Sequence, residues 1–126
     1  MLVILDNGHG GLIKDEPQTK GRRSRVFPNN CQLFEGEFNR AFVNGIIQEL
    51  TFMRIPYINV CPELEDMTLE TRANKHNEKN CFFVSMHANA GGGHGREFFC
   101  YKNSNAGRKM ATIFAEVFNQ KLNFRN

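Results

Sequence analysis

Residues 2–11 read Leu2-Val3-Ile4-Leu5-Asp6-Asn7-Gly8-His9-Gly10-Gly11, an unbroken apolar run stopped by polar residues and glycines. A short continuous apolar run bounded by turn signals is the pattern of a buried strand. The form recurs at Cys81-Phe82-Phe83-Val84-Ser85-Met86, followed by His87-Ala88-Asn89-Ala90. This second run is the most strand-like segment and is expected at the centre of a sheet, buried on both faces. Between them, Phe38, Phe42, Ile46, Leu50 and Met53 recur at helical intervals, which predicts an amphipathic helix over about 36–53. Pro56 ends it, and Tyr57-Ile58-Asn59-Val60 reads as a short strand.

Asp66 or Thr68 is placed to cap a further helix running to about Asn80, with Leu69, Ala73 and His76 on one face. Gly91-Gly92-Gly93 marks a turn, and Arg96 to Lys102 reads as another strand. Ser104 or Asn105 then caps a last helix faced by Met110, Ile113, Phe114, Val117 and Phe118. Strands alternating with helices predict a single α/β domain over 1–126. Its expected form is a three-layer sandwich with a largely parallel central sheet flanked by helices.

Composition narrows the function classes. With 40% apolar and 23% charged residues among 126, the chain has the make-up of a globular domain with one core. Met1 to Leu5 is the longest clean apolar run, too short to span a bilayer or to serve as a signal-peptide core. A soluble chain without its own export address is expected. The net charge is +3, much of it from Lys20-Gly21-Arg22-Arg23-Ser24-Arg25. No aromatic residue is interleaved there, so this stretch reads as a solvated loop rather than a nucleic-acid surface. It lies in a polar segment from Gly10 to about Asn30 without helical or strand period, and loops of that length are usually functional or disordered. Cys31, Cys61, Cys81 and Cys100 form no CxxC pair, which excludes zinc ribbons and redox motifs. Four free thiols are expected, with Cys61, Cys81 and Cys100 as small buried hydrophobes.

Sites in α/β folds gather at the carboxyl ends of strands. His9 and His87 both fall there, and on neighbouring parallel strands they would emerge at one edge. Two histidines and a carboxylate make a three-ligand zinc site with an open fourth position. From spacing alone, a metal-free His acid/base pair fits as well. Glu35 and Glu37, at the start of the first helix, are the carboxylate candidates, and either reads equally as a solvated carboxylate favoured by the helix dipole.

Ile4-Leu5-Asp6-Asn7-Gly8-His9-Gly10-Gly11 resembles the opening of the zinc-dependent N-acetylmuramoyl-L-alanine amidases of the third amidase family, with Asn7 where proline is usual. Ser85-Met86-His87-Ala88-Asn89-Ala90 is similar to that family's Ser-Ile-His-Ala-Asn-Ala block. Leu69, Arg72, His76 and Asn77 resemble its helix motif, with histidine in place of alanine, and Gly95-Arg96-Glu97 resembles the opening of its next strand. The resemblance implies one zinc ion held by His9, Glu35 and His87, with Glu37 as the fallback ligand. It also implies hydrolysis of the amide joining N-acetylmuramic acid to the L-alanine of the stem peptide. Peptidoglycan is then the partner, the cell wall is the place of action, and Arg22, Arg23 and Arg25 are candidates to meet stem-peptide carboxylates.

The family also carries a second essential Glu in a late strand as general acid and base, and no such segment occurs here. Glu116 has neighbours that do not resemble it, so no catalytic residue is identified within the chain. The expectation is the amino-terminal portion of an amidase domain, weakly active or inactive, with an open sheet edge prone to self-association. The alternative is a non-catalytic zinc module that binds peptidoglycan.

Overall fold

The computed structural model describes residues 1–75, 80–89 and 95–121. These fall into two units, 1–90 and 91–126. In the first, β1 (Leu2–Asp6) lies between β4 (Tyr57–Asn59) and β5 (Cys81–Ser85), and both pairings are parallel. The fold is α/β, as the alternation of strands and helices predicts.

The position of the strands differs from expectation. The centre of the sheet is β1, whose Ile4 and Leu5 are almost fully buried, whereas β5 is an edge strand among the described residues and only half-buried. Phe83 is 41% exposed. Hydrophobicity alone ranked β5 first, but hydrogen-bonding neighbours on both sides define a central strand, and β5 has one.

The two faces of β1 are covered differently. Val3 and Leu5 pack with Val43, Ile46, Ile47 and Leu50 of α1 (Glu35–Phe52). Ile4, pointing the other way by the two-residue period of a strand, packs with Val60, Cys61 and Met67. Helix α1 therefore buries the stripe Glu35, Asn39, Val43, Ile46 and Leu50, while the expected face members Phe38, Phe42 and Met53 are exposed. The aromatic side chains fit the helical period but sit beside the seam. The helix ends in a Schellman arrangement, with Ile55 N–H donating to Leu50 O and Arg54 N–H to Thr51 O, and Arg54 left-handed at φ 56°.

The segment expected to be featureless is ordered by backbone pairing. β2 (Leu12–Ile13) and β3 (Glu16–Pro17) form a small hairpin. Its turn residues Lys14 and Asp15 both have positive φ, as a type I′ turn requires. Further on, Arg23 bridges Phe34, Ser24 N–H donates to Leu33 O, and Phe27 N–H donates to Cys31 O. Residues 22–35 thus fold back on themselves and return the chain to the start of α1.

α2 (Leu69–Lys75) begins with Thr68 Oγ accepting from Thr71 N–H. The expected inner residues Leu69 and Ala73 are exposed, and the residue buried is Arg72. Residues 76–79 of the predicted helix, His76 and Asn77 among them, lie outside the described residues, as does the predicted glycine turn with His94, while Asn80 is a turn residue at φ 69°.

In the second unit, Ser104 Oγ caps α3 (Asn105–Lys121) by accepting from Gly107 N–H. Arg96–Lys102 forms no strand among the described residues and ends in a turn at Lys102, which corrects that expectation. Phe98 instead packs on α3, stacking on Phe114 and meeting Phe118 edge-on. Cys100 is consequently exposed rather than buried. On α3, Met110, Phe114 and Phe118 are half-buried, while Ile113 and Val117 are exposed. Among the described residues no helix is long and apolar enough to cross a membrane.

Candidate metal centre

Three elements deliver the site. His9 lies three residues beyond the last residue of β1 and His87 two beyond that of β5, while Glu35 is the first residue of α1. Because Asp6 and Ser85 are paired in register, the two chains leave the sheet side by side. Met86 N–H still donates to Asp6 O, so the parallel ladder extends to the edge of the site.

Beyond that edge the backbone must turn sharply. Gly8 does this at φ 79°, a conformation that L side chains rarely adopt. Gly36 permits a different contact: a Cβ there would collide with the Gly10 carbonyl, so its absence lets the start of α1 press against the His9 loop.

The ligand-capable atoms converge. Glu35 Oε1 lies 3.2 Å from His87 Nδ1 and 3.5 Å from His9 Nε2, and it accepts from Ala88 N–H at 3.0 Å. All three donor atoms fall within 4.8 Å of one another. Ligand atoms about 2.0–2.2 Å from a tetrahedral zinc stand roughly 3.3–3.6 Å apart, so the two contacts to Glu35 have the spacing of a metal shell. The imidazole rings meet edge to face with centroids 4.9 Å apart. Burial holds the His9 imidazole below its ordinary value of 6.5, against the attraction of Glu35, with His87, Arg22 and Arg72 adding to the depression. That favours the neutral ring, which is the form that binds metal. The donor set therefore fits zinc.

Glu37 is elsewhere: its Oε1 accepts from Leu12 N–H at 2.8 Å and anchors the small hairpin. Asn7, which replaces the usual proline, is buried and donates its amide to the Cys61 carbonyl, tying the His9 loop to the chain leaving β4.

Sequence reasoning missed the part played by Arg72. It is 5% exposed, donates to Asp66 Oδ1 at 3.0 Å and to the Met67 carbonyl, and stands 3.7 Å from Asp6 Oδ2. A buried arginine on a short charged helix leaves no signal in hydrophobic periodicity; the motif resemblance marked Arg72 but did not reveal that it pairs with Asp6 and Asp66.

A cleft of about 600 Å³ opens over His9, Glu35 and His87. The family model described as N-acetylmuramoyl-L-alanine amidase matches residues 3–126. The chain belongs to the N-acetylmuramoyl-L-alanine amidase family. No curated protein and no solved structure gave a significant match. As an amidase-family member the chain has peptidoglycan as its implied substrate, and the family is generally zinc-dependent.

Proposed function

We propose that the chain is a zinc-dependent peptidoglycan amidase, its metal held by His9 Nε2, Glu35 Oε1 and His87 Nδ1. The bond cut is the amide between N-acetylmuramic acid and the L-alanine of the stem peptide. The observation that carries this reading is the convergence of two imidazoles and one buried carboxylate, from three separate elements, at the floor of an open cleft.

When bound, zinc supplies Lewis acidity and lowers the pKa of water to about 7. The chain's own residues supply position. Asp6 accepts from Gly8 N–H and from Ser85 Oγ, fixing the exits of both histidine-bearing strands. Glu35 adds the negative charge that suits a divalent cation, and its bond from Ala88 N–H holds the carboxylate toward His87.

One observation favours a second reading. Among the described residues the cleft's carboxylates are Glu35, already in the donor set, and Asp66, bound to Arg72. A general base is worth about 10²–10⁴-fold, and neither carboxylate is free to act as one. The second reading is a zinc module that binds peptidoglycan without cutting it.

Elemental analysis of the wild type and of His87→Ala tests the metal, and incubation with purified sacculi tests the chemistry. About one zinc per chain, lost in the variant, with release of peptides bearing a new L-alanine amino group, supports the amidase. Zinc with co-sedimentation but no release selects the binding module. Absence of zinc from both proteins after reconstitution overturns both readings.

A further inference from the structure

We propose that Lys20 and Arg22 form an anion-binding wall of the metal-site cleft, which selects muramoyl peptides carrying a free carboxylate close to the scissile amide. This rests on the amidase reading above and adds a substrate class to it.

Both side chains line the same cleft as His9, Glu35 and His87. Of the other charged groups in that lining, Arg72 is bound to Asp66 at 3.0 Å, and Glu35 faces the two histidines as a donor of the proposed zinc site. Lys20 and Arg22 differ in that, among the described residues, neither side chain makes a hydrogen bond or an ion pair. Two unpaired cations on the wall of a cleft are receptors for an anion supplied from outside.

Their positions are set by the site itself. The Arg22 carbonyl accepts from Glu35 N–H at 2.9 Å, so the backbone that carries the guanidinium is bonded to the residue that carries the carboxylate ligand. Lys20 follows Thr19, whose hydroxyl accepts from Gly10 N–H at 3.1 Å, next to His9. Both cations are thus within one residue of a backbone link to the metal centre. The remaining arginines of the cluster are excluded by place, since neither Arg23 nor Arg25 lines the cleft. A guanidinium fork beside an ammonium matches the two oxygens of a carboxylate and discriminates against the uncharged carboxamide of the same shape.

The test is calorimetric titration of the zinc-loaded chain with two ligands. Both are capped as γ-methylamides so that one carboxylate is in play. The acid is muramoyl-L-alanyl-D-glutamic acid γ-methylamide, with its α-carboxylate free, and the amide is the corresponding α-carboxamide, which carries no carboxylate. The acid is expected to bind about 10-fold tighter, as one charge-assisted contact at an exposed site gives. Raising salt from about 50 to about 300 mM should shrink that preference, because exposed charges are screened. In Lys20→Gln/Arg22→Gln the preference should fall to near unity while zinc content is retained, and Arg22→Lys should keep part of it. Equal binding of acid and amide by the wild type overturns the wall and leaves the amidase reading standing. A preference that persists in the double variant, or that ignores salt, also overturns it. Failure of both ligands to bind the wild type overturns the amidase reading and this proposal together.

Discussion

Asp6 and Ser85 face each other in register on adjacent parallel strands, and the Ser85 hydroxyl donates to the Asp6 carboxylate at 2.6 Å. Each stands just before a histidine of the candidate metal centre, so this one bond clamps together the two strand exits that present His9 and His87. Behind it the buried Arg72 stands 3.7 Å from Asp6 Oδ2 and reaches out to the exposed Asp66 at 3.0 Å.

That group should be sensitive to removal of one partner. Arg72→Leu leaves Asp6 buried without its cation, and breaking a buried pair in this way costs about 3–5 kcal/mol. Ser85→Ala removes a single hydrogen bond and should cost about 0.5–1.5 kcal/mol. Urea unfolding of the two variants beside the wild type measures both, and a smaller loss for Arg72→Leu than for Ser85→Ala contradicts the assignment.

The two acids at the start of α1 should separate cleanly. Glu35→Gln is expected to abolish stoichiometric zinc binding, because its oxygen sits between both imidazoles. Glu37→Gln should keep zinc, since that carboxylate anchors Leu12 N–H in the small hairpin. Zinc content after gel filtration distinguishes them.

Two glycines of α1 should respond in opposite directions to alanine. At Gly36 a Cβ meets the Gly10 carbonyl, and overpacking of this kind typically costs 1–3 kcal/mol with displacement of the His9 loop. At Gly45, inside the helix, a Cβ meets nothing within 4 Å, so Gly45→Ala should stabilise by about 0.5–1 kcal/mol. Thermal unfolding of both variants checks the signs.

The thiols should fall into two classes. Cys31 and Cys100 are exposed and should react quickly with a thiol reagent near pH 8. Cys61 should be protected, since burial, with Asp6 close by, pushes its thiol from 9.0 up to about 12. The linkage follows: an unfolded chain releases that proton first. Stability from this group is therefore complete below about pH 9 and falls as pH rises toward 12. Denaturant midpoints from pH 8 to 11, compared between the wild type and Cys61→Ala, measure it.

Local pattern made much of this molecule readable. The apolar run at Leu2–Leu5, the helical spacing from Phe38 to Leu50 and the cap at Ser104 each declare an element through the neighbours of a few residues. Placing His9 and His87 after two such strands was enough to name a pair, with Glu35 and Glu37 as carboxylate candidates, and the resemblance put Glu35 ahead of Glu37. What remained hidden depends on partners distant in the chain. Arg96–Lys102 has the composition of a strand, yet a strand exists only where another backbone pairs with it, and here Phe98 is satisfied by Phe114 and Phe118 instead. Phe38 and Phe42 keep the helical period, but the seam is decided by what Val3 and Leu5 offer from below.

The polar loop is the sharpest case. No periodicity marks residues 22–35, because backbone hydrogen bonds such as Ser24 to Leu33 carry no side-chain signature. Those bonds nonetheless bring Arg22 beside Glu35 and Lys20 into the cleft. The sequence by itself determined the types of β1, α1, β4, β5 and α3 and the chemistry available at the strand ends, since both follow from residue type and short-range spacing. Only the tertiary structure decided which strand is central, which arginine is buried and which cations share the cleft with the histidines. Those outcomes depend on the pairing of backbone and charge between residues far apart along the chain.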